Sequence, residues 1–361
     1  MNQRYIRSVG GGIHQNKNVD DIFARAVSLE NLFLAWREFR RGKRKKPDVQ
    51  EFEFHLEDNL FGLHEALAGG TYEHAPYESF YIQDPKLRHI HKASVRDRVL
   101  HQVVSRVLYP IFDKSFIFDS YSCRVNKGTH RAVSRLEKFA RKLSKNNQRP
   151  IFALKCDVRK FFDSVDQEIL LNLIRRRIRD DKAIWLIRKI VHSFPRGLPL
   201  GNVTSQLFAN IYLNELDQWM KRVCCVKYYI RYCDDFVILG NEREKLENMI
   251  PKINMFLSDA LKLTLHEKKI IVRKFSQGLD FLGYVIFPHH RLVRTKTRKR
   301  IFKKFSAKIL AYRKEKIGEN TLHQSLQSYL GVMQHANAHT LSEELKNLFL
   351  VLTNNLHFGY L

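Results

Sequence analysis

The sequence predicts an α/β fold of the α+β type, in which short antiparallel strands are backed by helices and followed by an all-helical C-terminal region. Three observations carry this. An apolar strand over 151–156 ends in Asp157. Two further strand-like stretches, YYIRYC and FVIL, flank Asp234 and Asp235 with hairpin spacing. Around them, apolar residues recur at three- and four-residue steps over much of the chain, the pattern of amphipathic helices.

Taken in order, residues 20–46 read as a helix with Ile22, Ala26, Leu29, Phe33 and Trp36 at helical spacing. It runs into Arg37–Lys46, which holds seven basic residues and one acid, and Pro47 is expected to stop it. A second helix is expected over 51–68, closed by Gly69-Gly70, and a short strand within 77–82. Residues 95–109 form an amphipathic helix that Pro110 is expected to close, and Gly128 precedes another over 129–143. After the strand ending at Asp157, helices are expected from about 165, over 181–194 and over 205–220. The hairpin strands are expected at 226–233 and 236–239, with a helix at 242–259 and strands at 262–265, 270–274, 281–287 and 292–294. From 296 the pattern changes. Between Arg291 and Lys316 lie 12 basic residues and one acid, with Ile301, Phe305, Ile309 and Tyr312 at apolar helical positions, and two more helices follow at 321–336 and 341–352.

The charge narrows the function classes. With 63 Lys and Arg against 37 Asp and Glu, the net charge of +26 calls for an anionic partner. A nucleic acid fits better than a membrane surface, because basic and aromatic residues recur along the whole chain. No uncharged apolar run is long enough to span a bilayer, and the first residues lack the apolar centre of a secretory signal, so a cytoplasmic protein is expected. The five cysteines are scattered, without a C-x-x-C pair, which argues against a disulfide framework or a zinc site.

The acidic positions carry the chemistry. A carboxylate at the end of a buried strand is costly unless paired or bound to metal. Two adjacent aspartates between apolar strands repel each other without a cation, and a hard ion such as Mg²⁺, completed by substrate phosphates, relieves both problems. Exposed turn aspartates fit the same letters. Two such ions would activate a primer 3′-hydroxyl and steady a leaving pyrophosphate.

The blocks YCDDFVIL, KCDVRKFFDSV, GLPLGNVTSQLFANIYLNELD and GLDFLGYVI, in that family's order within roughly residues 80–350, resemble the reverse transcriptases. The form Leu200-Gly201-Asn202-Val203-Thr204-Ser205-Gln206 is similar to that of the enzymes of diversity-generating retroelements, which copy a template repeat RNA and misincorporate opposite adenine. The resemblance implies a right-hand polymerase with an N-terminal helical extension (1–75), fingers and palm with an antiparallel sheet (76–294) and a helical thumb (295–361). It implies catalytic carboxylates at Asp157, Asp234 and Asp235, with two Mg²⁺ ions held by these and by Val158. Phe162 would be the steric gate against a 2′-hydroxyl. Leu200, Gly201 and Gln206 would lie by the incoming nucleotide, Leu200 lowering fidelity because it lacks the polar contacts of a glutamine. Arg88, Arg124 and Lys86 would meet the triphosphate or template, Lys268 or Lys269 would supply the family's basic residue after the hairpin, and Leu282, Gly283 and Tyr284 would form the primer grip. Implied partners are template RNA, a primer or cDNA strand, deoxynucleoside triphosphates and a small basic oligomeric accessory protein. The chain shows no zinc-endonuclease or RNase H signature, so a typical group II intron protein is not the first expectation. A defence-, retron- or intron-associated enzyme and a non-catalytic RNA-binding scaffold are the alternatives.

Overall fold

The computed structural model describes residues 21–83 and 87–354, with side-chain surroundings as far as 351. The chain folds as two compact units, Met1–Asn126 with Cys156–Phe236 and Met249–Ile270, and Lys127–Lys155 with Val237–Asn248 and Ile271–Leu361. Its strands order as β1 (Glu78–Gln83) with β2 (Leu87–Lys92), as β4 (Tyr229–Tyr232), β5 (Asp235–Gly240), β3 (Phe152–Asp157) and β6 (Ile271–Lys274), and as β7 (Leu279–Phe281), β8 (Tyr284–Ile286) and β9 (Arg291–Val293).

The first unit opens with α1 (Ile22–Val27) and α2 (Leu29–Phe39), where a single helix was expected. Ser28 divides them: its extended backbone breaks the run and its side chain accepts from the Asn31 N–H, capping α2. Pro47 does not stop a helix but starts one, α3 (Pro47–Phe54), because a first-turn N–H has no intrahelical acceptor to lose. A break at His55 separates it from α4 (Leu56–Ala68). The expected strand is β1 (Glu78–Gln83), antiparallel to β2 (Leu87–Lys92), which the sequence reading lacked.

The helix α5 (Val95–Asp113) runs through Pro110. A proline so near the end removes one rung of the ladder, and Phe112, 2% exposed, keeps the last turn on the core. Next in this unit come α7 (Phe161–Ser164), α8 (Gln167–Arg175) and α9 (Asp181–His192). Asp166 caps α8 and Asp180 caps α9 by accepting backbone N–H groups. The centre is α10 (Val203–Gln218), buried nearly all round and continued by a π-turn, Trp219–Val223. The hairpin is β4 (Tyr229–Tyr232) and β5 (Asp235–Gly240). The expected helix at 242–259 is two, α11 (Arg243–Glu247), which with the end of β5 from Val237 belongs to the second unit, and α12 (Met249–Leu261), which belongs to the first. No strand forms over 262–265: Lys262 is left-handed, at φ 49°, and only Leu265 bridges, to Val158.

In the second unit, α6 (Thr129–Leu143) matches its expected bounds. The strand β3 (Phe152–Asp157) pairs antiparallel with β6 (Ile271–Lys274) from Phe152↔Lys274 to Lys155↔Ile271. A meander follows, β7 (Leu279–Phe281), β8 (Tyr284–Ile286) and β9 (Arg291–Val293), with antiparallel pairings. Three helices complete it, α13 (Thr295–Arg313), α14 (Glu319–Met333) and α15 (His339–Asn354). The basic helix α13 buries Ile301, Phe305 and Ile309 and leaves Lys296, Arg298, Lys299, Lys303 and Lys304 exposed. Among the described residues no helix is long and apolar enough to cross a membrane.

Candidate active site

The end of β3 and the β4–β5 turn are neighbours. The Val158 N–H donates to the Asp234 carbonyl at 3.2 Å, and the Asp157 carbonyl accepts from the His266 N–H at 2.8 Å. Cys233 sits at φ 55°, which makes the tight reversal possible. Asp234 lies in the turn, whereas Asp235 is already the first residue of β5.

Electrostatics tie the three carboxylates together. Burial, and then the charge of Asp157, push the Asp234 carboxyl above its ordinary value. The neighbouring Cys156 thiol is pushed up to about 12 by burial and by the charges of Asp235 and Asp157. The Lys269 ammonium lies 2.5 Å from Asp157 Oδ1. Of the two lysines expected here, Lys269 meets the carboxylate and Lys268 is exposed beside it. Among the described residues no three His, Cys, Asp or Glu side chains form a ready-made metal cluster. The donor chemistry nonetheless fits a hard divalent cation: the side chains here offer carboxylate oxygens, and the Lys269 ammonium already stands on one of them.

Sequence reasoning missed the group that holds this turn. Arg231, inside β4, is fully buried and forms a two-point pair with Asp217 of α10, Nε–Oδ1 2.7 Å and Nη2–Oδ2 2.6 Å. Burial works against the guanidinium charge, but Asp217 outweighs it and holds the pKa above its ordinary value. Tyr229 donates to the same carboxylate at 2.8 Å. Arg231 also donates to Asn210 Oδ1, to Ser120 Oγ and, at 3.0 Å, to the Cys233 carbonyl, one residue before Asp234. The signal was present: a lone arginine in an apolar strand and an aspartate at the end of an apolar helix.

The nucleotide-side candidates are placed as follows. Phe161 is buried and Phe162 half-buried, so of the two rings Phe162 is the one with an open edge. Its carbonyl accepts from the Leu198 N–H at 2.8 Å. Gly197 packs on it so closely that a Cβ would stand 2.2 Å from that carbonyl oxygen. The Gln167 amide donates to the Val191, Phe194 and Gly197 carbonyls, clamping the same loop. Leu200 is half-buried, while Gly201 and Gln206 are exposed at the start of α10. Gly201 has φ +127° and its absent Cβ would meet the His91 carbonyl at 3.3 Å, so both conformation and space call for glycine. Arg88 is exposed on β2 and Lys86 lies outside the described residues. Arg124 is engaged by Asp113, at 2.7 Å, and by the Ile117 and Ser120 carbonyls, which gives it a part in ordering its own loop.

In the second unit, Leu282 (φ 51°) and Gly283 (φ 90°) make the β7–β8 turn. Tyr284 is buried, donates to the Val332 carbonyl of α14 at 2.9 Å and faces His130 Nδ1 at 3.2 Å, so its hydroxyl ties the meander to the helices.

A strand ending in a carboxylate beside an Asp-Asp hairpin, packed on a long buried helix, defines a right-hand polymerase fold. The solved structure of apo telomerase from Candida tropicalis shares it, with a TM-score of 0.51 at 14% identity over 78% of this chain and 57% of that one. Residues 83–286, more than half of the chain, match the family described as reverse transcriptase (RNA-dependent DNA polymerase), and the chain belongs to that family. Similar proteins include YkfC of Escherichia coli K12, 26% identical over 65% of this chain and 71% of its own length. The group II intron-encoded protein LtrA of Lactococcus lactis subsp. cremoris is 23% identical over 76% of this chain, which spans only 58% of that relative.

Proposed function

We propose that this chain is a cytoplasmic polymerase that makes cDNA from a template repeat RNA in a diversity-generating retroelement, with errors concentrated opposite adenine. The reading is supported first by the backbone hydrogen bond from Val158 to Asp234, which sets the Asp157 strand end against the Asp-Asp turn. The diversifying role rests on the Leu200–Gln206 segment alone. Asp157, Asp234 and Asp235, with Val158, would hold two Mg²⁺ ions, which when bound would neutralise charge on the attacking 3′-oxygen and the leaving pyrophosphate. Arg88, with Lys86, grips the triphosphate, and Lys269 stands on Asp157 and competes with the metal for that carboxylate. Phe162 excludes a 2′-hydroxyl, Leu200 and Gly201 form the apolar floor under the base pair, and Gln206 borders it. Leu282–Tyr284 carry the primer-grip turn, and the exposed lysines and arginines of α13 track the duplex phosphates as a thumb. A small basic accessory protein assists.

A second reading, an intron-associated reverse transcriptase, is favoured by the likeness to LtrA and to the putative COX1/OXI3 intron 2 protein of Saccharomyces cerevisiae, 20% identical over 52% of this chain. Primer extension on RNA with Mg²⁺ and four deoxynucleotides, with Asp234→Asn in parallel, tests both. Product lost in the variant, with errors opposite adenine, supports the proposal. Even errors, together with promoted splicing of a flanking intron RNA, move it to the second reading. No product, even with cognate RNA and accessory protein added, leaves an RNA-binding scaffold.

A further inference from the structure

The segment from Leu200 to Thr204 is held from two sides. From β2, the His91 N–H donates to the Leu200 carbonyl at 3.3 Å, and the His91 carbonyl lies against Gly201. From α5, His101 reaches two residues of the same segment. Its Nδ1 is 2.6 Å from Thr204 Oγ1 and its Nε2 is 3.1 Å from Asn202 Nδ2. Asn202 stands at the N-cap of α10, where asparagine ordinarily bonds the helix N–H groups, yet its side chain does not cap. Its amide is given to His101 and, at 3.0 Å, to the Tyr77 hydroxyl. His74 Nε2 approaches His101 Nε2 at 3.2 Å. The three central residues are almost fully enclosed: His101 is 2% exposed, Asn202 3% and Thr204 1%.

A buried neutral imidazole offers one donor and one acceptor, and here both nitrogens are engaged. The Thr204 hydroxyl can donate to Nδ1 or accept from it, so this bond forms with either ring tautomer. Such a network fixes the ring, and through it two side chains of the segment, more tightly than apolar packing does. The rest of the site makes no use of this histidine.

We propose that His101 is a positioning residue for the incoming nucleotide. By gripping Asn202 and Thr204 it sets where Leu200 and Gly201 stand beneath the base pair, and so governs nucleotide affinity and the choice of wrong base. This rests on the reading of Leu200 and Gly201 as nucleotide-facing.

The experiment is single-nucleotide insertion by the full chain on a primed RNA template, at each of the four template bases. It compares the parent with His101→Gln, Thr204→Val, Thr204→Ser and, as a control on the site itself, Asp234→Asn, each with a thermal melt. His101→Gln and Thr204→Val are expected to raise KM for the deoxynucleotide ~5–10-fold, the effect of one buried hydrogen bond, with kcat little changed. They also redistribute misinsertion among the template bases, whereas Thr204→Ser, which keeps the hydroxyl, stays with the parent. Parent-like KM and error distribution in both variants, whatever their melting temperatures, overturns the positioning role. So does a Thr204→Ser enzyme as impaired as Thr204→Val. Synthesis that survives Asp234→Asn sinks the underlying site assignment instead, so the two failures are told apart.

Discussion

Removing one side of the Arg231–Asp217 pair tests how the Asp234 turn is held. In Asp217→Leu the guanidinium keeps Asn210, Ser120 and the Cys233 carbonyl, but loses its counter-ion at a position with no solvent exposure. An uncompensated buried charge costs ~3–5 kcal/mol. Measured against a total stability of ~5–15 kcal/mol, that is a large fraction. In a unit of this size it corresponds to a fall of ~6–20 °C in melting temperature. The companion Arg231→Met strands the Asp217 carboxylate, which keeps the Tyr229 hydroxyl as a donor, and is expected to cost a similar amount. Combining the two replaces both charges by apolar groups, so the double variant recovers most of the stability. It does not recover polymerisation, because the donor to the Cys233 carbonyl is gone and the turn carrying Asp234 loses its tether. Urea unfolding of the four proteins, with primer extension on each, is the assay. An Asp217→Leu variant destabilised by less than ~1 kcal/mol, the size of an ordinary exposed pair, would refute the argument. A double variant costing the sum of the singles would do the same.

Three further outcomes follow from the geometry. Lys269→Met removes the ammonium on Asp157, so the Mg²⁺ concentration for half-maximal synthesis falls; an unchanged or higher requirement in a metal titration counts against that competition. Gly197→Ala forces a Cβ into the Phe162 carbonyl at a left-handed φ of +69°, costing at least ~1–3 kcal/mol. It also shifts the Phe162 ring, and ribonucleotide incorporation relative to deoxynucleotide rises in the same assay. Burial, and then the neighbouring His74, hold the His101 pKa down to about 3, from an ordinary 6.5, with Asp97 opposing them. The unfolded chain therefore takes up the proton first, and the contribution is complete above pH 6.5 and lost as pH falls toward 3. Between pH 7 and pH 5 the loss is ~2 kcal/mol, read as a difference in urea midpoints that His101→Gln abolishes.

Much of the architecture was legible in the residues. The helix over Thr129–Leu143, the strand ending at Asp157 and the basic helix after 294 follow from periodicity, and the Asp-Asp turn follows from two apolar runs meeting at acids. Breaks were harder. Pro47 and Pro110 carry the same letter, yet one starts a helix and the other lies inside one, because what a missing N–H costs depends on its place in the turn.

The sequence by itself determined the fold class, because alternation and helical spacing report which face of each element is buried, and the family through the resemblance of its blocks and their order. It did not determine which polar groups meet. Arg231 with Asp217, His101 with Asn202 and Thr204, Lys269 with Asp157 and Gln167 with the loop at Gly197 all join residues distant along the chain. Periodicity records a burial, but the partner that makes a buried charge or imidazole tolerable comes from another element, and only the tertiary structure brings that element alongside.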